Sequence, residues 1–511
     1  MENIEKIINA NNHWDFLKNR SGDTNYQVHD PEFLAQFGIS QPIVGAMYIL
    51  ADFLRDNDVS SFELKGLRQP FLCEQKITGN YDGDNLLIER EGMRKPWKVS
   101  LNKPQKVKGD LGNAIFKGEY SVPVPTDELK GALPKYLVLT RISNLLLDAI
   151  AKGDDPNLKK INDVVKHGFG PMYKSISARF FQNPNLDDKL EFRLFQPDAP
   201  KFMNKMITYA TTSHVVVSQN GNPILDAELA LTYMPTPFIT TSIIREQNLS
   251  EEDLNKKLSF DASKPTMMII GYSGALGYAS VLENKDKFNL ILVDKELADV
   301  PADMTGMVIQ MDITGKEDPK EKEPNYKKAI KYIKKRFDGK IDVLNYALAY
   351  TTNLGFPGKE ATLEQIEEAN IVSFNPILEL DKSFTIDNVI AYSAFTDMFH
   401  NTVFDVYGAM EGSKNQLEKY FAENGDKFKL VKGGAFFSPS FFGIALKGCN
   451  RNKGVDLIQG MKSMIDAEQL EYGNERMTTA KDMAVAASKV LNSYHKRIEV
   501  MGDLSAFGSL K

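Results

Sequence analysis

The sequence predicts a multidomain protein in which two α+β units precede an α/β unit with a doubly wound parallel sheet. Three observations support this fold class. The 511 residues exceed what a single hydrophobic core usually serves. A long apolar helix followed by strand-like segments occurs twice before residue 246, and apolar strands alternate with helices after residue 264. We therefore expect α+β units at 1–125 and 126–245, a polar linker at 246–264 and the parallel sheet at 265–511.

Each α+β unit is predicted from one helix and the strands that follow it. Residues 40–56, SQPIVGAMYILADFLRD, form an apolar helix, and residues 60–91 contain strand-like runs separated by Gly and Asp turns. The same order returns with the helix 133–153 and the strand-rich residues 175–195 and 206–235. One long helix followed by an antiparallel sheet, twice, indicates duplicated units.

The third unit is predicted from a regular alternation of strands and helices. Residues 265–282, PTMMIIGYSGALGYASVL, give an apolar strand, a Gly-containing turn and a helix. Such an alternation is typical of a parallel sheet that is covered by helices on both faces. The further strands of this pattern lie within 288–296, 306–312, 340–350, 386–395 and 428–437.

Composition restricts the partners and the compartment. Hydrophobic residues make up 42% and charged residues 25%, and the net charge of −6 without a basic block argues against nucleic-acid binding. No run approaches the roughly 18 apolar residues of a membrane span, and residues 1–16 contain no apolar signal core. We therefore expect a cytosolic protein without a membrane span. Cys73 and Cys449 give neither a disulfide framework nor a metal-ligand spacing, so no metal site is predicted.

Residues 21–31, SGDTNYQVHDP, resemble the active-site motif of the MaoC-like enoyl hydratases and dehydratases, which have the hot-dog fold. The family pattern is S-G-D-x-N-P-hydrophobic-H-x-D-P, followed by F-G-x-P-I-x-H-G at the start of the hot-dog helix. Residues 62–71 resemble the family's next strand, residues 116–125 its last strand, and residues 126–240 a second hot dog without a polar motif. The resemblance implies a double hot-dog that holds an acyl chain. The matched positions are Ser21, Gly22, Asp23, Asn25, Asp30, Pro31, Phe37, Gly38, Pro42 and Ile43.

The hydratase reaction needs a base that activates water and an acid that protonates the α-carbon of the thioester. Backbone N–H groups at a helix N-terminus can hold the thioester oxygen, and Gly45 and Ala46 are the candidates. Val28 stands at the position of the family His and His29 follows it, while Gly45 replaces the His that starts the family helix. An extended backbone would direct His29 away from the tunnel. With Asp23 and His29 as candidate catalytic residues, an active dehydratase and an acyl-binding or scaffolding hot dog both remain open.

Residues 267–282, MMIIGYSGALGYASVL, resemble the cofactor loop T-G-x-x-x-G-x-G of the short-chain dehydrogenases/reductases, which have a Rossmann-type sheet. Small residues in this loop let the backbone approach the pyrophosphate of the cofactor, and the helix N-terminus supplies positive charge. The resemblance therefore implies NAD or NADP as the cofactor. The candidate cofactor-binding residues are Gly271, Ser273, Gly277, Asp294, Asp312, Asn345 and Ala347.

The remaining cofactor candidates lie at successive strand ends, in the order in which the family's strands contact the cofactor. Asp294 ends the second strand, 23 residues after the first loop glycine, where a carboxylate binds ribose hydroxyls and favours NAD over NADP. Lys295 beside it could instead tolerate a 2′-phosphate. Asp312 ends the third strand, where the family contacts adenine. Asn345 and Ala347 are what this chain retains of the family's N-N-A-G strand end.

Ser393, Tyr407 and Lys414 resemble the catalytic set of the same family. The usual Lys place, four residues after the Tyr, holds Glu411, and Lys414 stands seven residues after it. This spacing resembles the enoyl-acyl-carrier-protein reductase branch, whereas the glycine loop and the second-strand Asp resemble the ketoreductases, so the branch stays open. The resemblance implies that the Tyr donates to the substrate oxygen and that the Lys favours the phenolate and binds the ribose. Asn370 is the candidate for the family's proton-relay Asn.

Both resemblances lead to acyl thioesters as substrates. The first hypothesis is a fused enzyme of fatty-acid or polyketide type that reduces a 3-oxoacyl or 2-enoyl thioester of coenzyme A or of an acyl carrier protein. Residues 438–446, with two Phe, are expected to cover the substrate, and a homo-oligomer is compatible with this hypothesis. The alternative is a non-catalytic acyl-binding or scaffold protein, which Val28, Gly45, Ala275 and Glu411 favour.

Overall fold

The computed structural model divides the chain into two compact units near residue 246. We call residues 3–235 the antiparallel unit and residues 249–500 the parallel unit, after their sheets. The residues whose structure is described are 3–23, 25–35, 41–65, 67, 69–90, 93, 95–103, 111–166, 169–195, 199, 201–203, 208–235, 249–318, 320–321, 323–351, 360–396, 407–434, 448, 478–493 and 496–500. Among the helices of these residues, none is long and apolar enough to cross a membrane.

The antiparallel unit contains two repeats. In each repeat a strand precedes a long helix, and further strands follow. Its strands are β1 (Asn3–Ile7), β2 (Ser61–Lys65), β3 (Lys76–Asp82), β4 (Asn85–Arg90), β5 (Trp97–Leu101), β6 (Ala114–Tyr120), β7 (Phe169–Phe180), β8 (Leu190–Phe195), β9 (Lys201–Met203), β10 (Thr208–Gln219) and β11 (Asn222–Pro235). Its helices are α1 (Ala10–Phe16), which continues as a π-helical turn (Leu17–Ser21), α2 (Tyr26–His29), α3 (Pro31–Ala35), α4 (Ala46–Leu54), α5 (Pro134–Lys152) and α6 (Pro156–Lys166). The long helices of the two repeats are α4 and α5.

The sheet order shows the repeat directly. The strands follow one another as β1-β3-β4-β5-β2-β7-β11-β10-β8-β6, with the short β9 beside β10, and all pairs are antiparallel. Strands β2 and β7 join the two repeats, with Phe62 opposite Ala178 and Leu64 opposite Ile176. All four side chains are buried. The predicted hot-dog-like antiparallel sheet is therefore present, and it is continuous across both repeats.

Strand β6 changes the predicted division between the repeats. The sequence assigns residues 116–125 to the end of the first unit, but Ala114–Tyr120 pairs with β8, where Gly118 lies opposite Phe192. Strand β6 is the outermost strand of the second repeat, as β1 is of the first repeat. This pairing joins segments about 75 residues apart in the chain, and the local sequence pattern does not encode such a contact. We propose a boundary before Ala114 in place of 125/126.

Helices α4 and α5 lie side by side on the sheet and form its core layer. Eight of the nine residues of α4 are buried, which its almost wholly apolar sequence AMYILADFL requires. Helix α5 begins with Pro134 in its first turn, where the missing N–H costs nothing, and ends before Gly153. Tyr136 and Leu139 of α5 are fully buried.

The parallel unit contains a seven-stranded sheet in the order β14-β13-β12-β15-β16-β17-β18, and every neighbouring pair is parallel. Its strands are β12 (Thr266–Ile270), β13 (Asn289–Asp294), β14 (Gly306–Gln310), β15 (Ile341–Tyr346), β16 (Ile386–Ala394), β17 (Phe428–Gly433) and β18 (Arg497–Val500). Its helices are α7 (Glu251–Lys256), α8 (Ala275–Asn284), α9 (Tyr326–Arg336), α10 (Leu363–Ser373), α11 (Asn375–Ser383), α12 (Gly408–Glu423) and α13 (Ala480–Leu491). This Rossmann-like order confirms the predicted doubly wound sheet. The described connection 295–305 contains no helix, so the alternation is interrupted there.

Residues 249–264, which the sequence places in a linker, pack against the edge strand β14. The three outward N–H groups of β14 find acceptors there: Gly306 donates to the Ser259 carbonyl at 2.9 Å, Val308 to Asn255 Oδ1 at 2.8 Å and Gln310 to Glu251 Oε2 at 2.6 Å. The Asn255 amide nitrogen also donates to the Val308 carbonyl at 2.8 Å. An open edge strand is a template for pairing with other chains. The segment therefore closes this edge of the sheet.

We expect Asn255→Ala to lower the free energy of unfolding of the parallel unit by about 2 kcal/mol, because two hydrogen bonds to Val308 are lost. Urea unfolding followed by far-ultraviolet circular dichroism measures this change. Asn424→Ala is the matched control, since the Asn424 side chain, at an exposed helix end, bonds only the Tyr420 carbonyl among the described residues. Equal losses in the two variants would contradict the edge-closing role of Asn255.

Candidate functional site

The glycine loop lies where the order of the parallel sheet reverses. Strand β12 has β13 on one side and β15 on the other, and the loop leaves its carboxyl end and leads into α8. Gly271 has a φ of +85°, which favours glycine, and its N–H donates to the Val293 carbonyl at 2.9 Å. A Cβ on Gly277 would lie 2.0 Å from the Gly271 carbonyl oxygen. The local geometry thus requires both glycines and fits the close approach of a dinucleotide phosphate.

Asp294 is held by the glycine loop. Its Oδ2 accepts hydrogen bonds from the Ser273 N–H at 3.1 Å and the Ser273 hydroxyl at 2.8 Å, and its Oδ1 accepts one from the Glu296 N–H at 3.3 Å. The side chain sits at the end of β13, as expected from the sequence, and is buried. Its carboxylate therefore fastens the loop, a role that the sequence does not reveal.

The other cofactor candidates separate into turn and core positions. Asp312 follows β14 and accepts hydrogen bonds from the Thr314 N–H at 2.9 Å and hydroxyl at 2.7 Å, which fixes a turn. Asn345 is fully buried inside β15 beside the Tyr392 hydroxyl. The Ala347 N–H donates to the Ile270 carbonyl at 2.9 Å, so Ala347 borders the carboxyl end of β12. Asn345 is paired with Ile269 of β12, so Asn345 and Ala347 both lie beside the strand that carries the glycine loop, whereas Asp312 follows the edge strand β14.

Helix α12 and strand β16 bring the catalytic candidates to one region. Lys414 Nζ donates to the Tyr392 carbonyl at 2.6 Å, and the Ser393 hydroxyl donates to Glu418 Oε1 at 2.5 Å. Tyr407 directly precedes α12, seven residues before Lys414, which places both on one helical face. Asn370 of α10 reaches the same helix, because its amide nitrogen donates to Gln416 Oε1 at 2.7 Å. Glu418 is a residue that sequence reasoning missed.

Burial sets the protonation of these groups. Burial raises the pKa of Tyr407 to about 12, so its hydroxyl keeps its proton at neutral pH. Burial lowers the pKa of Lys414 to about 8, and the Glu418 carboxylate opposes that shift. Lys414 is therefore mostly protonated at pH 7 but close to its titration range. Tyr407 can donate a proton, and the Lys414 charge can stabilise a negative charge nearby.

In the antiparallel unit, the Asp23 loop is fixed by the second repeat. Gly22 has a φ of +75°, and a Cβ there would lie 2.6 Å from Asn144 Nδ2 of α5. Arg141 of α5 donates to the Ser21 carbonyl at 2.7 Å. Asp23 itself is buried, and its Oδ1 accepts a hydrogen bond from the Asn25 N–H at 3.0 Å. The Asp23 loop therefore lies between the two repeats.

The extended backbone expected around His29 is wrong, because Tyr26–His29 is a helical turn. Val28 and His29 are both buried, 1% and 6% exposed, so they do not alternate between a tunnel face and a solvent face. His29 Nδ1 lies 2.6 Å from the Ile43 carbonyl, which accepts only, so the proton of the neutral ring is on Nδ1. His29 Nε2 is left as a lone-pair acceptor. Burial lowers the pKa of His29, and the Asp23 charge opposes that shift.

His13 is a site residue that the sequence analysis missed. The Gly45 N–H, expected to hold a thioester oxygen, donates to His13 Nε2 at 3.1 Å, so this donor is occupied. A Cβ on Gly45 would lie 3.7 Å from His13 Cε1, so an imidazole from α1 fills the space beside Gly45. The His13 ring centroid lies 5.6 Å from that of His29 and 4.8 Å from that of Tyr48. Nothing in the motif signals His13, because it reaches the site from another helix.

The second repeat also contributes polar groups, although the sequence shows no motif there. The Tyr173 hydroxyl lies 3.0 Å from the Ser143 hydroxyl. Burial raises the pKa of Tyr173, and the charge of Asp23 adds to that shift. Tyr233 is fully buried, and burial raises the pKa of its hydroxyl.

Several sequence expectations concern other positions. In the described part of the chain, no group of three or more His, Cys, Asp or Glu side chains could hold a metal ion. Cys73 is buried and unpaired, and Cys449 lies outside the described residues. The expected substrate cover at 438–446, with Phe441 and Phe442, also lies outside them.

The fold and the sites define a two-unit α/β protein that combines a hot-dog-like antiparallel sheet with a Rossmann-like parallel sheet. No known protein family matches the sequence, and no curated protein matches it. Solved structures that resemble parts of the chain include a 3-oxoacyl-[acyl-carrier protein] reductase from Brucella melitensis, with 12% identity over 48% of this chain and 98% of that one and a TM-score of 0.31. An enoyl-acyl-carrier-protein reductase from Plasmodium berghei has 15% identity over 47% of this chain and 97% of that one, with a TM-score of 0.32. A MaoC-like dehydratase has 9% identity over 45% of this chain and 96% of that one, with a TM-score of 0.28.

Proposed function

We propose that the parallel unit binds a nicotinamide dinucleotide and reduces a 3-oxoacyl or 2-enoyl thioester, while the antiparallel unit binds acyl chains. The observation that carries this proposal is the glycine loop at the reversal point of the sheet, in the same unit as Tyr407 and Lys414. Ligands of open α/β sheets bind at this point, outside the carboxyl ends of the strands. The cofactor preference that we propose is NAD over NADP.

The residues of the parallel unit have distinct roles in the proposed reaction. The loop from Gly271 to Gly277 and the N-terminus of α8 would hold the pyrophosphate. When bound, the reduced cofactor supplies a hydride. Tyr407, which keeps its proton, would donate to the substrate oxygen on which negative charge develops. The positive charge of Lys414 would lie on the same face of α12 as Tyr407.

The experiment that tests this proposal is a fluorescence titration of the full chain with NADH and with NADPH. Oxidation of each cofactor is then followed with acetoacetyl and crotonyl thioesters, carried either by coenzyme A or by an acyl carrier protein. We expect saturable binding, tighter for NADH, and turnover of one of the two thioesters. If neither cofactor binds, the proposal is wrong.

Asp294→Ala should weaken NADH binding about tenfold and NADPH binding less, because a charged acceptor for the ribose hydroxyls is removed. Ser273→Ala is the matched control, since it removes the hydroxyl hydrogen bond to Asp294 and keeps both the carboxylate and the backbone N–H bond to it. It should affect the two cofactors equally. If Asp294→Ala also weakens both cofactors equally, Asp294 fastens the loop and does not select the cofactor.

For the antiparallel unit we propose acyl binding without hydration, because the Gly45 N–H is occupied by His13. Hydration of a crotonyl thioester should stay near the uncatalysed rate, and His29→Ala should leave that rate unchanged. Binding of a non-hydrolysable acyl thioether, measured by calorimetry, tests the acyl site itself. A rapid hydration that His29→Ala abolishes would instead assign a hydratase to this unit.

A further inference from the structure

The glycine loop is attached to the segment that follows β13 through the side chain of Tyr272. This residue directly follows Gly271 and is fully buried. The Tyr272 hydroxyl donates to the Ala298 carbonyl at 3.1 Å and accepts the Ala298 N–H at 3.0 Å. One side chain therefore satisfies both backbone polar groups of a residue that lies 26 positions away in the chain.

Ala298 depends on Tyr272 because no helix follows β13. The backbone groups of a helix bond one another, but the described residues 295–305 contain no helix. Leu297 and Ala298 are nevertheless buried. A buried N–H or carbonyl that lacks a partner is costly. The Tyr272 hydroxyl thus takes the place of the hydrogen bonds that a helix would give to Ala298.

The same segment is joined to the glycine loop a second time, through Asp294. The Glu296 N–H donates to Asp294 Oδ1 at 3.3 Å, and Asp294 Oδ2 accepts two hydrogen bonds from Ser273. Tyr272 and Ser273 are consecutive in the loop, so two neighbouring positions of the loop are fixed to the end of β13 and to the segment after it. Protein groups alone therefore hold these two pieces of chain relative to each other.

These contacts lie at the edge of the sheet where we propose that the cofactor binds. Strands β12 and β13 are parallel neighbours, so the glycine loop and the segment after β13 leave adjacent carboxyl ends. Ligands of open α/β sheets bind outside these ends. Because Tyr272 is fully buried, it acts on a ligand through the backbone positions of the loop and of the segment.

We propose that Tyr272 is a positioning residue that holds the glycine loop and residues 295–300 in the cofactor-binding arrangement before the cofactor binds. This inference rests on the proposed function, which assigns the glycine loop to the pyrophosphate. Without the hydroxyl, the Ala298 N–H and carbonyl lose their partner in this arrangement, so a smaller fraction of the molecules adopts it. The apparent affinity for a ligand falls in proportion to that fraction. The effect is the same for NADH and NADPH, since it does not involve the 2′-position of the ribose.

The test measures cofactor affinity and hydrogen–deuterium exchange of the full chain. Tyr272→Phe should raise the dissociation constants of NADH and NADPH by the same factor, about tenfold. A bond that only stabilises the fold would leave both constants unchanged, because they refer to the folded protein. Without cofactor, deuterium uptake by the peptide that covers residues 295–300 should be slow in the wild type and fast in Tyr272→Phe. NADH should restore slow uptake in the variant.

Tyr326→Phe is the matched control, since it removes a hydroxyl that donates to the Ile371 carbonyl at 2.8 Å elsewhere in the parallel unit. It should keep the wild-type dissociation constants and the wild-type uptake at residues 295–300. Unchanged constants in Tyr272→Phe overturn the inference. If Tyr272→Phe does not fold, the wild type decides, because fast uptake at residues 295–300 that only NADH slows also overturns it. Absence of cofactor binding to the wild type overturns the proposed function, and the uptake without cofactor distinguishes that outcome from a failure of the inference.

Discussion

Tyr407→Phe should lower the turnover of the acyl thioester by about a hundredfold or more and leave the affinity for NADH and NADPH nearly unchanged. The hydroxyl that donates to the substrate oxygen is lost, whereas the ring and the helix remain. Burial raises the pKa of Tyr407 to about 12, so the wild-type side chain carries this proton throughout the neutral range. The measurement is the steady-state rate of cofactor oxidation together with a cofactor titration of the same variant.

Tyr420→Phe is the matched control for this prediction. It removes a hydroxyl from the same helix α12, where the Tyr420 ring packs against Phe374 and Phe428. Its turnover should stay within about twofold of the wild type. If Tyr407→Phe turns over as fast as Tyr420→Phe, Tyr407 is not the proton donor.

The antiparallel unit should lose stability as the pH falls below about 6.5, because two buried histidines are neutral in the folded state. Burial lowers the pKa of both His13 and His29 from the usual 6.5. The unfolded chain therefore binds more protons than the folded chain below that pH, and protons favour unfolding. The stability that the two neutral histidines allow is fully present above pH 6.5. Below that pH, each histidine lowers the free energy of unfolding by at most about 1.4 kcal/mol per pH unit.

Tryptophan fluorescence isolates this effect, because both tryptophans, Trp14 and Trp97, belong to the antiparallel unit. Urea unfolding between about pH 8 and pH 5 avoids the range in which ordinary carboxylates titrate. His13→Gln and His29→Gln should each reduce the slope of stability against pH by about half. A wild-type stability that is constant from pH 7 to pH 5 would contradict the buried neutral state of the pair.

Hydrophobic periodicity and the spacing of motifs predict much of the fold. The apolar strand before Gly271 and the helix after Gly277 follow from local pattern, since a strand that is buried on both faces needs a continuous apolar run and a close phosphate turn needs glycine. The two long helices α4 and α5 follow from their apolar composition for the same reason. Ser273 and Asp294 can be proposed as candidates from the sequence because the helix and the strand between them fix their spacing in the chain.

Contacts between distant segments could not be found in this way. The pairing of β6 with β8, the closing of β14 by Asn255, and the imidazole of His13 beside Gly45 each join residues that no local pattern relates. Ser393 and Glu418 are likewise brought together only by the packing of α12 against β16. In each case a polar group needs a partner on burial, and many sequence positions could supply it.

The sequence by itself determined the order of helices and strands, the two kinds of sheet and the loop that begins α8, because hydrophobic period and glycine geometry act over a few residues. The tertiary structure alone decided the roles of the polar groups. In the folded protein the Gly45 N–H donates to His13, the Ser273 hydroxyl donates to Asp294 and the Ser393 hydroxyl donates to Glu418. A hydrogen-bond donor has a chemical role only after its partner is known, and that partner is fixed by the packing of elements far apart in the chain.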